Sequence, residues 1–176
     1  MKKITSIIAI MAFTAVFSTS AWSQQTGSTT AISTTEIITP ISITKNIDLN
    51  FGVFSTDGTV GSIALTPAAA AVTTASTGIK ITNLKTPTAA KFTVSGDSNY
   101  TYSMTVPGTI ELKGTTVVTN TLTIKDFTSS LSALSGGVLA SGSQVIYVGG
   151  TLVIPVTSKK DIYTNTTGLV VTVNYN

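Results

Sequence analysis

The chain contains no cysteine, no histidine and no arginine. Without cysteine there are no disulfides, so the fold has to rest on an apolar core and backbone ladders. The absence of histidine and cysteine excludes Ser-His-Asp and Cys-His nucleophile systems, and zinc or copper sites of the common kinds. Lacking arginine, the chain has no guanidinium clamp for phosphate or carboxylate. No G-x-x-x-x-G-K loop occurs. Charged residues make up only 10% of the chain. The seven acids (Glu36, Asp48, Asp57, Asp97, Glu111, Asp126 and Asp161) fall mostly in expected turns or at strand ends. A glycosidase needs two of them across one cleft. The expectation is a non-enzymatic protein without cofactor or metal. A calcium site at Asp97 and Asn99 lacks a third acid nearby in sequence.

The N-terminus has the pattern of a secretory signal. Lys2 and Lys3 precede an apolar run from Ile7 to Phe17, and Ala21-Trp22-Ser23 supplies small residues for a peptidase. Cleavage after Ser23 leaves Gln24 first and about 150 residues, the size of one domain. The chain is then expected to be secreted, to the periplasm or the cell surface, with no later segment apolar enough to span a membrane. Two of the ten lysines leave with the signal, and only Lys159-Lys160 remains as a pair. Nucleic acid is not an implied partner.

Residues 24–35 are Thr, Ser, Gly and Gln with only Ala31 and Ile32 apolar, and read as a flexible leader. From residue 36 to 176 short alternating runs recur, separated by Gly, Pro, Asp and Asn. Ile63 and Leu65, Phe92 and Val94, and Tyr100, Tyr102, Met104 and Val106 each follow period two. Gly149-Gly150, between Ile146-Val148 and Leu152-Ile154, reads as a tight hairpin turn or a bulge. Ala68–Ala71 suits a helical turn or a loop, and residues 129–142 and 161–167 read as loops. No segment of useful length has period 3.6. The pattern predicts one all-β domain, an antiparallel immunoglobulin-like or pilin-like β-sandwich. A membrane barrel would need two aromatic girdles, and the aromatics here are scattered.

Two surfaces attract a functional reading. Leu169, Val171, Val173 and Tyr175 alternate with Val170, Thr172 and Asn174 at the end of the chain, a strand pattern expected to dock in a sheet. Tyr100 and Tyr102 share one side of a strand, where they form either a core pair or a platform for a sugar ring. Thr119, Thr121 and Thr123 are expected to be ordinary exposed strand threonines. Asn99-Tyr100-Thr101 and Asn165-Thr166-Thr167 fit the glycosylation triplet.

The stretch Ile38-Thr-Pro-Ile-Ser-Ile-Thr-Lys-Asn-Ile-Asp-Leu-Asn-Phe-Gly52, with Phe92-Thr-Val-Ser-Gly96, Tyr100-Thr-Tyr-Ser103 and Val171-Thr-Val-Asn-Tyr175, resembles domain-of-unknown-function family 4402 of exported bacterial proteins. The resemblance implies a pilin-like sandwich and no catalytic residues. More loosely, the ending is similar to chaperone–usher pilins, where a penultimate aromatic and alternating apolar residues meet a periplasmic chaperone. Tyr163 stands where that pattern usually has Gly, and Ile32, Thr34 and Glu36 are poor plugs for an apolar groove. The expected role is a surface or fimbria-like structural subunit, pairing with itself or related subunits through strands. The alternative is a monomeric carbohydrate- or surface-binding module.

Overall fold

The computed structural model describes residues 26–132, 136–165 and 167–176. The expected signal, the first two residues of the leader and part of the expected 129–142 loop lie outside them. The chain divides into two units, residues 1–36 and 37–176. Of the first, Thr26–Glu36 is exposed and forms no strand. The second unit is all-β and antiparallel, with no helix among the described residues. Its strands are β1 (Ser42–Ile47), β2 (Val53–Thr56), β3 (Gly61–Leu65), β4 (Thr73–Ala75), β5 (Ile79–Thr82), β6 (Ala90–Ser95), β7 (Thr101–Thr105), β8 (Thr109–Gly114), β9 (Thr121–Ser129), β10 (Gly137–Val138), β11 (Ser143–Ile154), β12 (Tyr163–Thr164) and β13 (Thr172–Tyr175).

β11 is the spine. Its twelve residues span about 40 Å. Val148 pairs with Ala90 of β6 and with Ser129 of β9, so those strands lie on opposite edges. Leu152 pairs with Ile63 of β3 and Ile124 of β9. β6 and β3 therefore follow one another along the same edge of β11, while β9 takes the other. The large sheet runs β1-β6-β11-β9-β8-β12, with β3 and then β4 branching from β11. β10-β7-β13 forms a second sheet and β2-β5 a two-stranded ribbon. Side chains from all three sheets make one apolar core.

Gly149-Gly150 is not a hairpin turn. It lies inside one continuous strand, at the point where β11 changes partner from β6 to β3. A Cβ on Gly149 would stand 2.1 Å from the Leu65 carbonyl oxygen, so only glycine permits this approach. Opposite Gly150, β9 carries two residues against one, Asp126 and Phe127. Leu122 and Ile124 face inward, so strict alternation would bury Asp126. Asp126 instead takes φ 51°, and Phe127 fills the inward position. The bulge keeps a carboxylate in water and an aromatic ring in the core.

Some strands lie outside the sequence expectation, the three shortest among them. β4 follows the stretch read as a helical turn or loop, and β10 and β12 lie in regions read as loops. They are three, two and two residues long. Strands this short have too few residues for a period and exist through their partners.

Gly149→Ala is expected to destabilise the domain by about 2 kcal/mol or more, because the Leu65–Pro67 backbone has to move. Gly108→Ala, where an added Cβ meets nothing within 4 Å, is expected to stay within about 0.5 kcal/mol of wild type. Urea unfolding of the two variants checks the contrast.

Candidate functional site

β8 is the last long strand on its side of the large sheet, followed only by the two-residue β12. On its inner side β8 pairs with β9 from Thr109 to Lys113. On its outer side β12 covers only Lys113 and Gly114. The Thr115 amide continues that contact by donating to the Ile162 carbonyl. Nearer the start of β8 the chain pulls away, and the Asn165 side chain donates from Nδ2 to the Glu111 carbonyl at 2.8 Å. Odd-numbered residues thus turn their backbone groups outward. Among the described residues no strand pairs with the outer edge of β8 from Thr109 to Leu112.

Two side chains hold this edge open. Asn165 Oδ1 accepts from the Thr167 amide, the Thr167 hydroxyl and the Gly168 amide, which fixes the turn leading toward β13. The Asp161 carboxylate accepts from the amides of Thr116, Val117 and Ile162 at 2.8–3.1 Å. Loss of water around the Asp161 carboxyl pushes it up, but these amides outweigh that and hold it at about 2. Between β8 and the 164–170 segment lies a groove of about 740 Å³. Its walls are Pro107, Ile110, Val118 and Val170 together with threonines 109, 115, 164 and 167. Glu111 and Lys113 also line it, and pair with each other at 3.6 Å.

The terminal strand occupies an edge of the second sheet. Val173 pairs with Met104 and Tyr175 with Tyr102 of β7. Val173 is in the core, and Leu169, Val171 and Tyr175 pack against it. Regular pairing covers Thr172–Tyr175, so the strand is shorter than its alternating sequence. Tyr175 clamps the entry to β1. Its hydroxyl donates to the Thr39 carbonyl at 2.8 Å and accepts from the Asp97 amide at 2.6 Å. Asp97 Oδ2 accepts from the Thr39 amide at 3.1 Å. Tyr100 meets the Tyr175 ring edge to face at 5.6 Å.

Tyr100 and Tyr102 do not present a common platform. Tyr102 is only 1% exposed and donates its hydroxyl to Gln144 Oε1 at 2.7 Å. Burial pushes that hydroxyl's pKa up. The other polar candidates serve turns. Asp97 caps the Ser98 amide, and Asn99 adopts φ 66° with its amide on the Leu139 carbonyl. Among the described residues no three acids gather in a group able to hold a metal ion.

The model of a domain-of-unknown-function family, DUF4402, matches residues 41–175. The chain belongs to DUF4402. No curated protein and no solved structure matches it. The match runs from the residue before β1 to the last residue of β13, so this DUF4402 domain contains both the β8 edge and the Tyr175 clamp.

Two expectations follow. Tyr175→Phe removes the hydroxyl from Thr39 and Asp97, which is expected to cost about 1 kcal/mol and to speed amide exchange at Asp97, read by NMR. Asp161 has a folded pKa below its unfolded value, so its contribution is complete above about pH 4 and is lost as pH falls toward 2. Amide exchange at Thr116 and Val117 is expected to accelerate over that window, and Asp161→Asn is expected to flatten the pH dependence.

Proposed function

We propose that this DUF4402 domain is a non-enzymatic, exported structural subunit of immunoglobulin-like or pilin-like build, acting at the bacterial surface and assembling by addition of strands. The observation that carries this reading is the outer edge of β8 between Thr109 and Leu112, with which no described strand pairs. Open main-chain donors and acceptors at a sheet edge are a template for another strand. Export is supported by the Lys2-Lys3, Ile7–Phe17 and Ala21-Trp22-Ser23 pattern. The core-facing Leu169, Val171, Val173 and Tyr175 support a docked terminal strand, which a periplasmic chaperone would meet at its free edge. The binding-module alternative needs an exposed tyrosine pair, and the burial of Tyr102 removes half of it.

The form beginning at Gln24 is expected to associate as its concentration rises. Sedimentation velocity across a hundredfold concentration range checks this. A single monomeric species throughout would sink the proposal.

A further inference from the structure

We propose that Asn99 is a glycan acceptor, its side-chain amide taking a saccharide from a polyprenyl-pyrophosphate donor, and that Asn165 is not. The inference rests on the export part of the reading above, because an exported chain meets such donors. The sequence holds two Asn-x-Thr triplets, Asn99-Tyr100-Thr101 and Asn165-Thr166-Thr167. As triplets they are equivalent, and the fold separates them.

Asn165 is spent on the fold. Its Oδ1 accepts from the Thr167 amide, the Thr167 hydroxyl and the Gly168 amide, and its Nδ2 donates to the Glu111 carbonyl. A sugar on that nitrogen would have to stand in the groove against β8. The hydroxyl that completes this triplet is turned onto Asn165 itself at 2.6 Å, so an enzyme cannot use it without opening the turn.

Asn99 is held by its main chain instead. Its amide donates to the Leu139 carbonyl at 2.7 Å, and its φ of 66° reverses the chain between β6 and β7. The residue is exposed. Thr101 opens β7, where it is exposed while Tyr102 and Met104 face inward, so its hydroxyl turns to solvent. Tyr100, between them, packs edge to face on the Tyr175 ring. The middle of the triplet is pinned and its two functional ends point outward. Asp97 adds a carboxylate two residues before the acceptor. It accepts from the Ser98 and Thr39 amides, two of about four acceptor positions, and so keeps a charge for a cationic enzyme subsite. Asn165 has Tyr163 in that place.

The transfer is a substitution at the anomeric carbon of the sugar. Asn99 Nδ2 forms the new C–N bond. The bond from that carbon to the pyrophosphate oxygen breaks, and the polyprenyl pyrophosphate leaves with the electron pair. One Nδ2 proton passes to a base of the transferase. The product adds a bulky hydrated group to a chain with only 10% charged residues.

The full chain is expressed in Gram-negative cells carrying an oligosaccharyltransferase and its polyprenyl-linked glycan, with a separate acceptor protein confirming transfer. Intact mass is read first, then the tryptic peptides. Without arginine, trypsin cuts only at lysine, so Asn99 falls in residues 92–113 and Asn165 in residues 161–176. The expected result is a chain that has lost its signal and carries one glycan, on residues 92–113. Asn99→Gln and Thr101→Val are expected to abolish it, and Thr101→Ser to retain it. A glycan on residues 161–176, alone or in addition, overturns the selection by the fold. A chain that has lost its signal and carries no glycan overturns this inference and leaves the export reading intact. A retained signal overturns both.

Discussion

The structure depends on one long ladder. β11 is bonded to β9 along one edge and to β6 and then β3 along the other. With no disulfide available, the two flanking regions are joined through this strand and the side chains it buries. Ile146, Val148, Leu152 and Ile154 are each 2% exposed or less. Burying such aliphatic side chains contributes about 1.5–3 kcal/mol apiece. A change of partner midway along the strand requires β3 to begin where β6 ends. The bare backbone at Gly149 allows it. The bulge at Asp126 belongs to the same arrangement, since it restores inward alternation in β9 past the point where β11 narrows to glycine.

That ladder also explains where the open edge falls. β9 follows β11, and β8 follows β9 in register. The next strand outward is β12, and it pairs at only two positions. Asn165 ends that pairing because its side chain satisfies the Glu111 carbonyl and the amides of its own turn at once. Asp161 fixes the other side of the contact by holding the 116–117 loop. The chain then leaves β8 and supplies β13 to the second sheet. One turn thus separates the two sheets and leaves the groove between them and β8.

Much of the fold was legible in the sequence where a strand has one buried and one wet face. β6 alternates strictly between buried and half-buried residues, and Phe92, Val94 and the Gly96 turn announced it. Tyr102 and Met104 of β7 and Val173 of β13 were legible for the same reason. The Gly149-Gly150 pair left a turn and a bulge equally open, because a glycine pair can serve a reversal or a close approach, and only the neighbouring strand decides which. The open edge was not legible at all. Thr109, Ile110, Glu111, Leu112 and Lys113 alternate identically whether the outer edge is paired or bare, since side-chain pattern reports faces and not edges. The groove beside β8 is lined by Pro107, Ile110, Val118 and Val170 as well as by four threonines.

Edges that must stay solitary carry recognisable protection. β1 has Pro40 before it and a register break between Lys45 and Ile47. β4 and β10 are three and two residues long. β2 and β5 form a ribbon of four-residue strands. β13 is capped near its end by the Tyr175 hydroxyl on Thr39. The outer edge of β8 from Thr109 to Leu112 has Pro107 before it, the charged Glu111 within it and the Asn165 side chain on the Glu111 carbonyl, and no described strand pairs with it. Its side chains toward solvent, Thr109 and Glu111, would project from the face and not block the backbone. What this edge leaves outward is the backbone of Thr109 and the Glu111 amide, beside the groove that Val118 and Val170 help to line.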